Sequence, residues 1–424
     1  MSAARRFRTI FLLVSAILLS FVTLLTVFSD SYRSAAGPFD AGQHDLPHGA
    51  DAGKALEKVE DASRIATSTS PGQYQPLTST LLGEAGEEPV LANATFVILA
   101  RNSDREGVVG SIREIEQRFN ARRQYPYVLL NDQEFTIDFK AAIANATTSS
   151  VEFGLIPRAD WVQPDWIDEE RAAAAREKMA EDGVKYGGLL DRLTLLDDSY
   201  RNMCRFNSGF FYRHPLMQKY KYYWRIEPNV HFLCDVRSDP FLYMQEHDKT
   251  YGFTLAVHEI RATIPSLWET VTTFTDQHPE YVVPDNALGF ISNDGDNAYN
   301  GCHFWSNFEI ADMDFFRGEA YSQYFDFLDR SGGYYYERWG DAPVHSIAVS
   351  LFLNASKLHF FDPIGYQHDD WRHCPLARET YDAGNCSCDY LKEFDYSGGS
   401  CKALWDHFIR TKSLDRQEIA VPEW

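Results

Sequence analysis

Ala94-Thr-Phe-Val-Ile-Leu-Ala100, Val108–Phe119 and Tyr127-Val-Leu-Leu130 together decide the fold. The first is a short, unbroken apolar run of the kind a buried strand makes. Arg101-Asn-Ser-Asp104 follows as a loop. Val108, Ile112, Ile115 and Phe119 then recur at helical spacing on one face, and Tyr127–Leu130 is a second apolar run, ending in Asn131-Asp132. Strand, loop, helix, strand is a βαβ unit, and it starts a parallel sheet. There is no Gly-x-Gly-x-x-Gly, so a dinucleotide site is not indicated. The Arg101–Asp104 loop nevertheless stands where open α/β sheets bind ligands, beyond the C-terminal end of a strand.

Further along, Phe135–Ala144 and Asp165–Asp182 read as helices, with Glu169 and Glu170 near the second start and Gly183 at its end. Val151–Ile156 reads as a third strand. The segment Tyr222-Tyr-Trp-Arg-Ile-Glu-Pro-Asn-Val-His-Phe-Leu-Cys-Asp235 then begins as a buried strand. At period two, Tyr222, Trp224 and Ile226 share one face, and Tyr223, Arg225 and Glu227 share the other. Pro228 cannot donate to a ladder, so pairing stops there and leaves Glu227 as a carboxylate at a strand end. Its plain reading is an ion pair with Arg225 or another cation. Tyr251–Val257 reads as one strand, Ile264–Gln277 as a helix, and Asp312 or Asp314 as the cap of a helix whose apolar face is Phe316, Ala320, Tyr324 and Leu328, ending at Ser331-Gly332-Gly333. Another helix starts near Ala342, and Lys357–Phe361 is a strand. From His373 the chain reads as an irregular, cysteine-rich tail.

The chain has 424 residues and a net charge of −21. That charge argues against general nucleic-acid binding, which needs basic surface. Thr9–Phe28 carries no charge and is rich in Leu, Val, Ile and Phe. About 20 such residues span a bilayer as a helix. Arg5, Arg6 and Arg8 precede the run, so the positive-inside rule keeps the N-terminus cytosolic. The expected organisation is a tail over 1–8, a signal-anchor over 9–28, a flexible Ala/Gly/Ser/Pro-rich stem over 29–90 and a lumenal catalytic domain over 91–424. All seven cysteines lie beyond the anchor, and sequons stand at Asn93, Asn145, Asn354 and Asn385. An oxidising compartment would allow up to three disulfides and one leftover thiol. Cys386-Ser-Cys388 lacks a second close pair, so disulfides suit it better than zinc.

Four regions put acids and histidines near strand ends or turns. Glu227 closes a strand. Glu309 lies between Trp305-Ser-Asn and a capped helix, where the helix dipole alone would favour an acid. Asp341 and His345 flank a helix start; Asp341 reads equally as an N-cap, and His345 as a satisfied core histidine. His368 follows a glycine turn. Chemistry at a sugar carbon needs a carboxylate at that carbon, and a diphosphate leaving group needs a divalent cation held by oxygen and nitrogen ligands.

The motifs Tyr222–Val230, His303–Phe316 and Tyr336–Ser346, with Asn207-Ser-Gly-Phe-Phe211 and Gly365-Tyr-Gln-His368, resemble the signatures of the fungal α-1,2-mannosyltransferases, glycosyltransferase family 15. The resemblance covers about Thr95 to Cys388. It implies a GT-A-type, Rossmann-like α/β domain with a mixed central sheet behind a transmembrane helix, in a Golgi type II membrane protein. It implies GDP-mannose as donor, a mannose-terminated glycan on glycoproteins as acceptor, Mn²⁺, and retention of anomeric configuration. By the same resemblance Glu227 and His368 are the Mn²⁺ ligands, and Glu309 is the nucleophile. Tyr200 lies near the reacting sugar, Asp341 is a further active-site acid, and Arg101, Ser103 and Asp104 belong to the donor-nucleotide loop. The chain lacks an Asp-x-Asp metal motif, and Glu227 stands in for it. Two other classes fit the same residues: a retaining glycosidase using Glu309 and Asp341, and an inactive, mannose-binding lectin-like scaffold.

Overall fold

The structure, a computed structural model, describes residues 90–184, 198–293, 295 and 298–419. The expected tail, signal-anchor and stem lie outside the described residues. Among the described residues no helix is long and apolar enough to cross a membrane.

Strands occur in chain order as β1 (Ala94–Leu99), β2 (Tyr127–Asn131), β3 (Val151–Leu155), β4 (Tyr222–Arg225), β5 (Val230–Phe232), β6 (Tyr251–Phe253), β7 (Ala256–His258), β8 (Cys302–Phe304), β9 (Glu309–Asp312), β10 (Leu358–Phe360), β11 (Tyr366–His368) and β12 (Trp371–His373). A seven-stranded sheet runs β10-β6-β9-β4-β1-β2-β3. β4, β1, β2 and β3 run parallel to one another, as do β6 and β10. β9 lies antiparallel between β4 and β6. The sheet is therefore mixed, as the resemblance implied, and the fold is an α/β one. Two smaller sheets accompany it: β12-β11-β5 and a β7-β8 ribbon.

The alternation of Tyr222–Arg225 partitions two cores. Phe96, Ile98, Leu129, Tyr222, Trp224 and Ile310 face one way, into a core closed by Val108, Ile112 and Ile115 of the helix Arg105–Arg118. Val97, Val128, Tyr223, Tyr251 and Ala311 face the other. Trp224 is wholly buried, with the rings of Phe96, Phe232, Phe241 and Phe308 around it. Burying one such side chain stabilises the fold by roughly 1.5–3 kcal/mol.

Several elements depart from expectation. Tyr251–Val257 is two strands, β6 and β7, in different sheets. Strand β4 ends at Arg225, so Glu227 lies in the following loop and does not close the strand. Glu309 opens β9 in the middle of the sheet; it is not a loop residue before a helix. Asp312 is the cap of the next helix, accepting from the Asp314 N–H, and that helix stops at Arg317 before a longer one runs from Glu319 to Ser331. Gly332 closes the longer helix at φ 77°, a left-handed conformation that glycine adopts without a Cβ clash.

The tail is more regular than its sequence suggested. The helix Lys402–Ile419 buries Trp405 among Phe253, Phe290 and Phe304, so it completes the core. Three disulfides form: Cys234–Cys386, Cys302–Cys401 and Cys374–Cys388. Cys204 is the leftover thiol, buried in the core.

Candidate active site

Register builds the centre of the site. Arg225, the last residue of β4, stands directly opposite Glu309, the first of β9. Residues opposite each other across a pair project to the same face, and Tyr223 and Tyr251 project there too. The Arg225 guanidinium is a hub. Its Nη2 donates to Glu227 Oε1, its Nη1 donates to Asp341 Oδ2 at 2.5 Å, and Nη1 lies 3.6 Å from Glu309 Oε1. Burial works against its charge, but Asp341, Glu227 and Glu309 outweigh that and hold the guanidinium firmly protonated.

Asp341 is not the N-cap; Gly340 is. The Asp341 carboxylate turns inward, accepting also from Ser306 Oγ at 2.7 Å. Burial pushes its pKa up, but Arg225, His345 and the Ser306 hydrogen bond more than reverse this, and the pKa ends below the usual carboxylate range. Asp341 is thus a fixed anion at neutral pH and a poor proton donor.

Glu309 is 1% exposed. Its Oε2 accepts from the Tyr223 hydroxyl at 3.2 Å and meets His345 Nδ1 at 2.9 Å. Burial and the Glu309 charge push the Tyr223 and Tyr251 phenols up, so both stay protonated. His345 Nε2 lies 3.1 Å from the Asn207 carbonyl oxygen, which can only accept. Nε2 therefore carries a proton, and Nδ1 is the nitrogen that faces Glu309. His345 is the satisfied core histidine of the sequence reading, yet its partner is the candidate nucleophile. Glu309 Oε1 has no hydrogen-bond partner. It borders a cavity of about 10 Å³ walled by Val97, Leu99, Phe206 and Phe211, room for about one water. Oε2 is thus held by a hydrogen bond, while Oε1 has the Arg225 guanidinium 3.6 Å away and accepts no hydrogen bond.

Glu227 and His368 converge although they are distant in sequence. β11 pairs with β5, which brings His368 beside Val230, just past the Glu227 loop. Glu227 Oε2 and His368 Nε2 are 4.0 Å apart and both partly exposed. The plain and the metal readings of Glu227 hold together: one oxygen pairs with Arg225, the other faces His368. His368 Nδ1 is 2.8 Å from the Asn307 side-chain amide, and the Tyr366 hydroxyl is 3.2 Å from the same amide's oxygen. As placed, Asn307 Nδ2 donates to Nδ1; exchanging the amide's oxygen and nitrogen puts the proton on Nδ1 and leaves the Nε2 lone pair for a metal. One carboxylate oxygen and one imidazole nitrogen, both partly exposed, suit Mn²⁺, whose remaining positions diphosphate oxygens and water can fill. Glu309, Asp341 and His345 also cluster tightly, but there the Arg225 guanidinium already supplies the positive charge.

The Arg101–Asp104 loop leaves β1 from the same edge as Glu227, since Val97 lies opposite Arg225. Asp104 closes it, accepting from the Arg101 N–H at 2.8 Å and from Ser103 Oγ at 3.1 Å. Tyr200 lies in the first turn of the helix Asp198–Gly209, with the Arg338 guanidinium 5.9 Å over its ring. The far end of that helix supplies the Asn207 carbonyl. There a Cβ on Gly209 would lie 2.0 Å from the Phe325 ring, so only glycine fits. Arg225, Ser306 and Asn307 were not singled out as site residues from the sequence, and His345 was weighed there against a core role. Arg225 shares a face with Glu227 in the period-two reading, and Ser306 and Asn307 lie inside the Trp305–Glu309 motif; those were the available signals.

Residues 50–410 match the family described as glycolipid 2-alpha-mannosyltransferase. An O-glycoside alpha-1,2-mannosyltransferase, omh1 of Schizosaccharomyces pombe, is 51% identical over 309 residues, 73% of this chain and 77% of that one. The glycolipid 2-alpha-mannosyltransferase of Saccharomyces cerevisiae is 45% identical, over 77% of this chain and 71% of its own. Among solved structures, core-mannan synthase A (CmsA/Ktr4) of Aspergillus fumigatus, in a Mn/GDP form, superposes with a TM-score of 0.70 at 36% identity, covering 76% of this chain and 87% of that one. With a family match over most of its length and relatives at 45–51% identity, the chain belongs to the glycolipid 2-alpha-mannosyltransferase family, glycosyltransferase family 15.

Proposed function

We propose that the protein is a retaining α-1,2-mannosyltransferase that moves mannose from GDP-mannose to the 2-hydroxyl of a mannoside on glycoprotein glycans. The observation that carries this reading is the pairing of Glu227 with His368 beside the Arg225 hub. It offers a cation site for a diphosphate next to a carboxylate that can address a sugar carbon. Mn²⁺ is the cofactor this donor set fits, and a relative has been solved in a Mn/GDP form; when bound, the ion would neutralise charge on the departing diphosphate.

The chain's own residues do the rest. The Arg101–Asp104 loop takes the nucleotide side of the donor. Arg225 keeps Asp341 anionic and orients Glu227 for the ion. Glu309, steadied by Tyr223 and His345, presents Oε1 to the β-face of the mannosyl C1; Tyr200 lies further along the sugar's path. The Glu309–Asp341 pair suits a glycosidase poorly. Such an enzyme needs one carboxyl protonated near neutrality, and Asp341 is held ionised. A lectin-like scaffold would have no use for a buried carboxylate with one oxygen that accepts no hydrogen bond. We also propose that Thr9–Phe28 anchors the enzyme in the Golgi membrane with the catalytic domain lumenal.

The test is a reaction of the purified lumenal domain with GDP-mannose, Mn²⁺ and a panel of mannosides. GDP release that depends on both metal and mannoside supports the reading. Release of mannose from oligomannosides without nucleotide would replace it with the glycosidase, and binding without turnover would replace it with the scaffold.

A further inference from the structure

Apart from the catalytic residues, a groove of about 430 Å³ opens between the start of the helix Leu267–Gln277 and the turn at Tyr299–Gly301. Its volume lies within the range of small-molecule sites. Trp268 and Thr272 line it from one face of the helix, as residues four apart do. The Trp268 ring is half-buried and stacks on Tyr299, with centroids 5.7 Å apart and planes 20° apart. Glu269 and Arg261 add a carboxylate and a guanidinium. Arg261 is held in place: Nη1 donates to the Tyr299 carbonyl at 3.1 Å and Nη2 to that of Asn300 at 2.8 Å.

The groove is tied to the catalytic centre through short stretches of backbone. The segment that delivers Asp341 is hydrogen-bonded to Thr263 and Ser266, which flank the lining residues Ile264 and Pro265. In it the Arg338 N–H donates to the Thr263 carbonyl at 3.0 Å, and the Glu337 carboxylate accepts from the Ser266 N–H at 3.2 Å. At Gly340 a Cβ would stand 3.8 Å from Glu259 Oε2. Glu259 in turn donates its N–H to the Gly301 carbonyl at 2.8 Å, and Gly301 lines the groove.

A rigid aromatic platform with a carboxylate, a guanidinium and a hydroxyl around it matches a pyranose ring. The C–H face packs on the indole as apolar surface does, and the hydroxyls, each both donor and acceptor, find partners at the rim. The chemistry disfavours a phosphate, since Glu269 would oppose it and the chain's net charge is −21. We propose that this groove is a second mannoside subsite, which holds a sugar of the acceptor glycan other than the one being elongated. The proposal rests on the mannosyltransferase reading for its ligand class.

The experiment compares methyl α-mannoside with an α-1,2-linked mannotetraose as acceptors, for the parent and for Trp268→Ala. The expected result is a KM for the tetraose that rises about tenfold in the variant, with kcat and the methyl mannoside kinetics unchanged. Equal changes for both acceptors, or none, overturn the subsite while leaving transfer itself intact. Calorimetric titration of mannotetraose without nucleotide gives a readout independent of turnover. Weaker binding to Trp268→Ala supports the subsite even if no transfer is seen, and unchanged or undetectable binding by the parent overturns it. Glu269→Gln, which removes charge and leaves the stacked rings in place, carries the same test if Trp268→Ala fails to fold.

Discussion

Glu309 and His368 carry the residue-scale chemistry, and each is separable from its neighbours by one substitution. Glu309→Gln keeps size and one oxygen but removes the nucleophile. If Oε1 attacks the mannosyl carbon, kcat falls by several orders of magnitude while GDP-mannose binding stays nearly intact. If Glu309 instead holds an acceptor hydroxyl, the acceptor KM rises and much of kcat survives at saturation; steady-state kinetics over acceptor concentration distinguishes the two. For the metal, His368→Ala should raise the Mn²⁺ requirement before it disturbs the fold. Asn307→Ala should do the same more mildly, by about ten- to a hundredfold in affinity, because the amide orients a ligand without touching the ion. Mn²⁺ titration followed by electron paramagnetic resonance measures both, and a parent-like titration of His368→Ala would remove it from the ligand set.

Elements, taken one at a time, divide into those whose order is local and those whose order is supplied from afar. The βαβ start and the faces of Tyr222–Arg225 were legible because each strand carries its own apolar pattern. β9 was not: Glu309-Ile-Ala-Asp312 has polar ends and becomes a strand only because β4 and β6 pair with it on both sides. The split between β6 and β7 was hidden for a related reason, since one apolar run serves two sheets. The C-terminal helix was obscured by the cysteines around it, though Trp405 makes it part of the core. Trp405→Ala should therefore cost about 3–5 kcal/mol, read as a lowered midpoint in chemical denaturation.

Another element-scale prediction concerns β12. His373 is buried, with Nδ1 2.6 Å from Asp395 Oδ2 and Nε2 2.8 Å from the Asp362 carbonyl oxygen. Burial opposes its protonation, but the Asp395 charge and hydrogen bond prevail, and its pKa is raised above the ordinary value. A raised histidine pKa contributes stability that is whole below about pH 6.5 and is lost as pH rises through the folded-state value. Thermal melts of the parent and His373→Gln should differ most in mild acid and draw together as pH rises. A gap that is constant with pH would remove the proton linkage.

At the scale of the whole molecule, the disulfides and the proposed anchor point to one environment. Cys302–Cys401 ties β8 to the start of the C-terminal helix, and Cys234–Cys386 ties the loop after β5 to the tail. Cys234 Sγ lies against Gly365, just ahead of the strand that carries His368, and three such bridges are what an oxidising compartment allows. Alkaline carbonate extraction should leave the full-length chain with the membrane; its release would exclude a spanning helix. The central claim concerns the reaction itself, and the product answers it most directly. Proton NMR of the lumenal domain turning over GDP-mannose, Mn²⁺ and methyl α-mannoside should show a new anomeric signal of α configuration from the first time points, with linkage at the 2-hydroxyl. A β-linked first product, or an α-linkage to another hydroxyl, would contradict it.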